Sequence, residues 1–339
     1  MKKQLAQFKK IAFIAQPEYF SFIYEHDLDK LADVKAFRFH FNMKEDDFCG
    51  LMDFDADINF FFRGEFFPST VLEELRGITV NLSSEPFPRM INGHLKYTID
   101  SMRRYLHFRN IRSKLFDYVF HYDAASISFM ASDGLSVSGE FALPVATGVY
   151  KPDERPEKWQ VFFNGRSTSH REQFFEPLKH QYHFLHIAHG IWGIDLIEYI
   201  QSAAICLNVH AENEISWEPR LQMLLACGAF VISETITPNS YLRPGIDFIE
   251  VCDPSEMHKA VRYYLEHQTE RRAIAKNGAA RVREVLDSQR AFEKMLKGIR
   301  EGAYPPFTSK NGRLIFQVLG SIFNLAFDAK NRKKVSSKK

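Results

Sequence analysis

Along most of the chain, short apolar runs alternate with segments whose apolar residues recur at helical spacing. In the first half, IAFIA (11–15), VKAFRFHF (34–41), DINFFF (57–62), ITVNL (78–82) and YVFHY (118–122) are predicted strands. Between them, VLEELRG (71–77) and HLKYTIDSMRRYLHFRNIRSKL (94–115) carry the helical period. Residues 142–159, with several prolines and charges, read as a linker. The pattern then restarts. WQVFFNG (159–165), HFLHIAHG (183–190), ICLNVH (205–210), AFVIS (229–233) and DFIEV (247–251) are strands. Residues 170–182, 193–203, 254–267 and 269–287 are helices, with Ser255 and Thr269 as the expected N-caps of the last two. A further helix opens with Pro219 and Arg220 and stops at Gly228. Strands separated by helices imply parallel sheets. The expected fold class is therefore α/β: two Rossmann-like, doubly wound domains facing a cleft, over 1–150 and 151–300. A helical tail that is apolar and then basic follows over 301–339.

A chain of 339 residues is long enough for two such cores, and 32 Phe make those cores aromatic. The net charge of +2 argues against a nucleic-acid binder held by bulk charge. Cys49, Cys206, Cys227 and Cys252 form no C-x-x-C pair and sit among apolar neighbours, which suits reduced, buried thiols in a cytoplasmic protein. The start is basic, but its apolar run is too short for a signal peptide. No run approaches the roughly 20 apolar residues that span a bilayer.

The strand-to-helix turns carry the candidate chemistry. In FFNGRSTSHRE (162–172) a strand ends and Gly165 turns the chain; Arg166, Ser167 and Arg171 follow around a helix start. A glycine lets backbone approach a phosphate, and a helix N-terminus adds partial positive charge. The alternative is an ordinary turn with a solvated Arg. His189, just after a buried strand, is either a donor to a phosphate or sugar hydroxyl or a residue that closes a turn. Arg220 opens a third turn, preceded by Glu212, Glu214 and Glu218. Two basic turns in one domain favour a diphosphate or nucleotide, although neither is a Walker A loop or a G-x-G-x-x-G fingerprint. Asp53, Asp55 and Asp57 have D-x-D spacing, as in metal-chelating transferases of another fold. They precede their apolar run, away from the ligand edge of a parallel sheet, so no metal is expected. No histidine pair has metal spacing.

RLQMLLACGAFVISE, followed by YLRPGIDFIEVCDPSEMHKAVRYYLEHQTERRAIAKNGAARV, resembles the donor-binding half of group 1 glycosyltransferases, and within them the spore-maturation-protein (CgeB-like) branch of GT-B enzymes. The shared features are the Arg before the helix, Ala-Cys-Gly at its end, Pro-Gly ahead of IDFIEV, and the charged closing helices. The resemblance covers about Trp159 to Leu296; the first half matches only in pattern and in its LPVATGVYKP boundary. It implies a nucleotide-sugar donor and no required metal. One departure stands out: the family's helix reads Arg, two residues, then a Glu that grips the donor ribose, and here that position is Met223. Either another group such as Glu218 or Glu234 replaces it, or the nucleotide sits differently, or activity is lost; Gly228 is the family's helix-end glycine.

The acceptor contacts are expected from loops of the first domain, where Arg63, Glu65, Ser84 and Glu85 follow strands and QPEYF (16–20) makes a third loop. Glu65 or Glu85 is the candidate general base, and Arg220 the candidate catalytic cation at the leaving diphosphate. The expected activity is transfer of a sugar to a glycan or lipid-linked acceptor in cell-surface polysaccharide or glycoconjugate assembly. Two rivals remain: a non-catalytic module of the same fold, and a transferase for CMP-sugars, which needs fewer phosphate contacts. The tail reads either as a helix packed on the domains or as a peripheral contact with the inner face of the membrane. Its apolar residues cover more than one face, which favours the membrane.

Overall fold

The computed structural model describes residues 8–25, 28, 30–40, 43–111, 114–213, 217, 219–237 and 239–310. In chain order the first half runs β1 (Lys10–Ala15), α1 (Pro17–Tyr24), β2 (Asp33–Arg38), α2 (Cys49–Phe54) and β3 (Ile58–Phe62). It continues with α3 (Ser69–Glu74), β4 (Ile78–Ser83), β5 (Arg89–Ile91), β6 (His94–Lys96) and α4 (Ile99–Phe108). β7 (Tyr118–His121), α5 (Ala124–Ser132), β8 (Leu135–Ser136) and β9 (Gly139–Glu140) complete it. The second half runs β10 (Trp159–Asn164), α6 (Ser169–Gln181), β11 (Phe184–Ile187), α7 (Ile197–Gln201), β12 (Ala203–Asn208) and α8 (Arg220–Ala226). β13 (Val231–Glu234), β14 (Ile249–Val251), α9 (Pro254–Glu266), α10 (Gln268–Val285), α11 (Ser288–Glu301) and β15 (Thr308–Ser309) follow.

Two compact units emerge. Of the described residues, the first holds those up to Ala15, those within Ala32–Ala142 and those from Lys297 to 310; the second holds those within Gln16–Leu31 and Leu143–Leu296. The first unit's sheet is parallel in the order β2-β1-β3-β4-β7-β9, and β15 pairs with β8 beside it. The second unit's sheet is parallel in the order β11-β10-β12-β13-β14. Each order reverses direction once, between β1 and β3 and between β10 and β12. The loops at the carboxyl ends of those strand pairs form the crevice where doubly wound sheets bind ligands.

The aromatic content goes into the sheets' cores. Phe13 stacks on Phe60 (5.3 Å between centroids), and Phe61 meets Phe67 and Phe116 edge-on at 5.0 and 5.6 Å. Each ring removed from water contributes about 1.5–3 kcal/mol, so a few such residues decide the stability of a unit.

Several local expectations are corrected. Residues 94–115 do not form one helix: His94–Lys96 pair antiparallel with Arg89–Ile91 across Asn92 and Gly93, both at positive φ (51° and 78°). The helix starts only at Ile99, where Thr98 and Ser101 form a reciprocal cap. QPEYF is not a loop, because Pro17 opens α1. Asp253, not Ser255, caps α9 by accepting the Glu256 N–H (2.9 Å), since the cap position lies one residue before the first-turn proline. α10 begins at Gln268, so Thr269 lies inside its first turn. Pro219 occupies the cap position of α8 instead of its first turn. Cys206 and Cys227 are buried, whereas Cys49 and Cys252 are exposed. Residues 143–150 of the expected linker pack into the second unit, with Val145, Ala146 and Tyr150 fully buried, and only 151–158 are mainly exposed. Among the described residues, no helix is long and apolar enough to cross a membrane. The apolar and basic tail lies outside them.

One ion pair fixes the short β5–β6 ribbon to the first unit. Arg89 Nε donates to Asp123 Oδ2 at 2.6 Å, with both side chains buried, while the other Asp123 oxygen caps α5 through Ala125 N–H. Removing the cation leaves a carboxylate in the interior. Arg89→Met is expected to lower the unfolding free energy by about 3–5 kcal/mol in urea titration.

Candidate functional site

At the switch point of the second unit, β10 ends on Asn164 and Gly165 follows at φ 134°, a conformation that L side chains rarely adopt. Gly165 donates its N–H to Ile187 O (2.9 Å) and accepts from His186 Nε2 (2.8 Å), which fixes the turn. Thr168 then caps α6 by accepting Arg171 N–H. The Arg171 side chain is buried and donates to two backbone carbonyls, Val209 O beyond β12 (3.0 Å) and Arg166 O beyond β10 (2.9 Å). Its guanidinium lies 5.0 Å from the ring of buried Phe163, and that of Arg220 lies 4.6 Å from the same ring. Two cations on one aromatic ring at a sheet's ligand edge make an electropositive spot.

Beside it, Glu234 ends β13 with both carboxylate oxygens engaged. One accepts from His170 Nε2 in the first turn of α6 (2.8 Å), and the other accepts the His210 backbone N–H (2.6 Å). The His210 ring donates through Nε2 to Thr235 O (2.9 Å), because a carbonyl only accepts. In the neutral ring Nδ1 is then an acceptor, and it is buried with no hydrogen-bond partner. The Asn164 Oδ1 and Asn208 Oδ1 acceptors share that condition. Three buried acceptors at the ends of the two switch-point strands fit a ligand that brings hydroxyl or N–H donors.

The expected site residues divide accordingly. Gly165, Arg166, Ser167, Arg171, Arg220 and Glu234 all lie at the carboxyl edge of the sheet, on its loops, at the starts of α6 and α8 and at the end of β13. Arg166 and Ser167 are exposed, and Ser167 donates its hydroxyl to Glu172. Arg171 is occupied by the backbone it clamps. His189 lies on an exposed turn after β11, one strand further out. Gly228 has a different place: it follows α8 at the opposite edge of the sheet, at φ 81°, where a Cβ would stand 2.8 Å from Pro152 Cβ. Its glycine is needed for the helix stop and this packing, not for a ligand. Met223 is buried on α8 and offers no useful acceptor. Glu218 lies outside the described residues. His170 and His210 went unnoticed in the sequence. The available signal was NVH and ISE, which place polar groups directly after neighbouring buried strands.

In the first unit, the loops after β3 and β4 gather a second polar group with α4. Arg63 is left-handed (φ 63°) and lies over Phe66 (4.8 Å). It pairs with Glu85 (3.2 Å) and more distantly with Glu65 (3.8 Å), while Arg104 pairs with Glu85 and Asp100. Gly64 donates to Asn81 Oδ1 (2.9 Å) and leaves no room for a Cβ, which would stand 2.7 Å from Phe116 Cζ. The Glu65 side chain is 3% exposed, and burial raises its carboxyl above the usual range against the pull of Arg63. Ser84 is half-buried on the loop that carries Glu85. A non-glycine residue held at positive φ is a strained position of the kind that functional loops retain. Asp57, by contrast, accepts the N–H groups of Lys9 and Lys10 at the opposite edge of this sheet, which commits it to the start of β1. Among the described residues, no group of three His, Cys, Asp or Glu is arranged to hold a metal ion.

Comparison with known proteins now bears on both units. The family model described as glycosyl transferase-like matches residues 166–297. Sucrose-phosphate synthase from Thermosynechococcus elongatus superposes with a TM-score of 0.56 at 10% identity, over 87% of this chain and 99% of that one. Anabaena HepE, solved with UDP and glucose, gives 0.54 at 11% identity over 86% and 100%. TarM of S. aureus, solved with fondaparinux, α-GlcNAc-glycerol and UDP, gives 0.50 at 8% identity over 73% and 57%. The chain has the α/β fold of GT-B glycosyltransferases. No curated protein matches the sequence.

Near the first unit's site, His121 is completely buried, shares a hydrogen bond with Ser83 (3.0 Å) and stacks on Phe87 (4.8 Å). Burial lowers its pKa from 6.5 to about 4, more than the Asp123 charge restores. Between those values the unfolded chain binds the extra proton, so stability rises with pH through this window and is lost as pH falls through it. Urea titrations at successive pH values should show a loss on the order of 3 kcal/mol from pH 6.5 down to 4. His121→Phe should flatten that dependence.

Proposed function

We propose that this chain is a nucleotide-sugar-dependent glycosyltransferase that binds its donor at the β10–β12 switch point of the second unit. The observation that carries the reading is the pair of guanidiniums, Arg171 and Arg220, over Phe163 at that edge. A diphosphate there meets Arg220, the exposed Arg166, Ser167 and the backbone around Gly165. Bond breaking between the sugar carbon and its phosphate oxygen leaves negative charge on the diphosphate, which these cations stabilise as it grows. Arg171 contributes by holding the loops. The UDP and UDP-glucose complexes of Anabaena HepE support a uridine diphosphate donor.

His210 Nδ1 takes over, in this reading, the acceptor role that Met223 cannot supply, with Glu234 orienting His170 beside it. His189 borders the same edge. The acceptor is a glycan or a lipid-linked glycan, and the setting is cell-surface polysaccharide or glycoconjugate assembly in the cytoplasm, with the basic tail as a membrane contact. The Ala-Cys-Gly helix end and the Pro-Gly ahead of IDFIEV support a place in the CgeB-like branch. The glycan and glycoside in the TarM complex support a carbohydrate acceptor. For an inverting displacement Glu65 is the base: burial shifts its carboxyl in the direction of stronger basicity, whereas Glu85 is taken up by Arg63 and Arg104.

Met223 favours one rival, a module of this fold that binds without transferring. Thermal denaturation with UDP, GDP, ADP, TDP and CMP separates the readings. UDP at a hundredfold excess over its Kd should stabilise the protein by about 2.7 kcal/mol, and Arg220→Ala should abolish the shift. A shift with CMP alone moves the donor class, and no shift with any nucleotide overturns the donor site.

A further inference from the structure

The β5–β6 ribbon of the first unit is built to stand out from the surface. Asn92 and Gly93, both left-handed, close it with a two-residue turn whose twist matches paired strands. Its base is rigid, held by the buried Arg89–Asp123 pair and by Met90 packed on the core. Beyond that base every residue from Ile91 to Tyr97 is exposed. Ile91 (36%), Leu95 (40%), Tyr97 (57%) and Ile99 (86%) are four of the eight exposed large apolar residues among those described. Ile91 and Leu95 stand on the ribbon, and Tyr97 and Ile99 on the segment leading from it into α4; such clustering marks an interaction site, where single scattered residues would not.

The register says what kind. Leu95 lies opposite Met90, and Ile91 lies opposite His94, so Leu95 and Ile91 point to opposite faces of the ribbon. A flat protein partner covers one face, whereas a medium that surrounds the tip covers both. The charge agrees. No Asp or Glu occurs between Glu85 and Asp100, while His94 and Lys96 stand on the ribbon. Tyr97, apolar in its ring and polar at its tip, is the residue type that settles at a bilayer's polar boundary.

We infer that the β5–β6 ribbon inserts its tip into the interfacial layer of an anionic lipid membrane. This contact goes beyond the transfer reading and requires no nucleotide. Vesicle sedimentation with the full chain tests it, using phosphatidylcholine alone and phosphatidylcholine with phosphatidylglycerol. The protein should bind the anionic vesicles with or without UDP, and each of Ile91→Ser and Leu95→Ser should weaken binding roughly tenfold. Both side chains are exposed, so the variants should keep the wild-type melting temperature. Lys96→Glu should reduce the preference for anionic lipid. Tyr97→Trp supplies a readout confined to the ribbon: its added emission should shift to the blue on anionic vesicles and be quenched by lipids brominated on the acyl chain. Wild-type binding that these substitutions leave unchanged would assign membrane contact to another part of the chain and overturn the inference. Absence of vesicle binding, with a dimer that Leu95→Ser dissociates, would overturn it in favour of a second copy.

Discussion

The second unit depends on one buried cation. Arg171 sits in the first turn of α6, yet its hydrogen bonds go to Arg166 O and Val209 O, in the loops beyond β10 and β12. These are the two strands between which the chain's winding direction reverses, so their loops diverge, and no ladder of backbone hydrogen bonds ties them together. A guanidinium offers several donors in a rigid fork and can reach both. Phe163 beneath it lets the charge be buried against an aromatic face and aligns Arg220 on the same ring. Arg171 therefore sets the separation of the loops that carry Arg166 and Val209.

Much of the architecture was legible in the sequence because parallel sheets buried on both faces leave near-continuous apolar runs. The runs at 11–15, 58–62, 161–163 and 205–207 could hardly be anything else. The misreadings have a common physical origin. Helical periodicity continues formally through residues 94–98, but Asn92-Gly93 closes a turn there and Thr98 caps the next helix. Local turn chemistry therefore overrides the apolar pattern. In the same way, Pro17 reads as a loop residue only if its place directly after a strand is ignored; one residue into a helix, its missing N–H costs nothing.

Of the candidate site, what depends on backbone and position was legible: Gly165, Arg220 and Glu234 do lie at the carboxyl edge of the second sheet. The candidate site was not legible where it depends on which side chains meet. His170, His210 and Glu234 are separated by 24 to 64 positions and come together only because α6 starts, and β12 and β13 end, at one edge. The same limit explains Gly228. Its motif was recognised, but the antiparallel course of α8 carries it to the far side of the sheet.

The assignment of Gln16–Leu31 to the second unit has a practical bearing on how this chain can be divided. α1 contributes the Ile23 carbonyl that accepts the Ser288 hydroxyl (2.6 Å), the Phe22 carbonyl that accepts Ala146 N–H (2.8 Å), and Phe22 against Tyr150. Glu25, just past it, accepts the Tyr150 hydroxyl (2.9 Å). A fragment cut at the obvious boundary near residue 143 would keep all of residues 166–297 yet leave these polar groups and rings uncovered. The portable unit is discontinuous, and a helix from the start of the chain belongs to it as much as the β10 strand does.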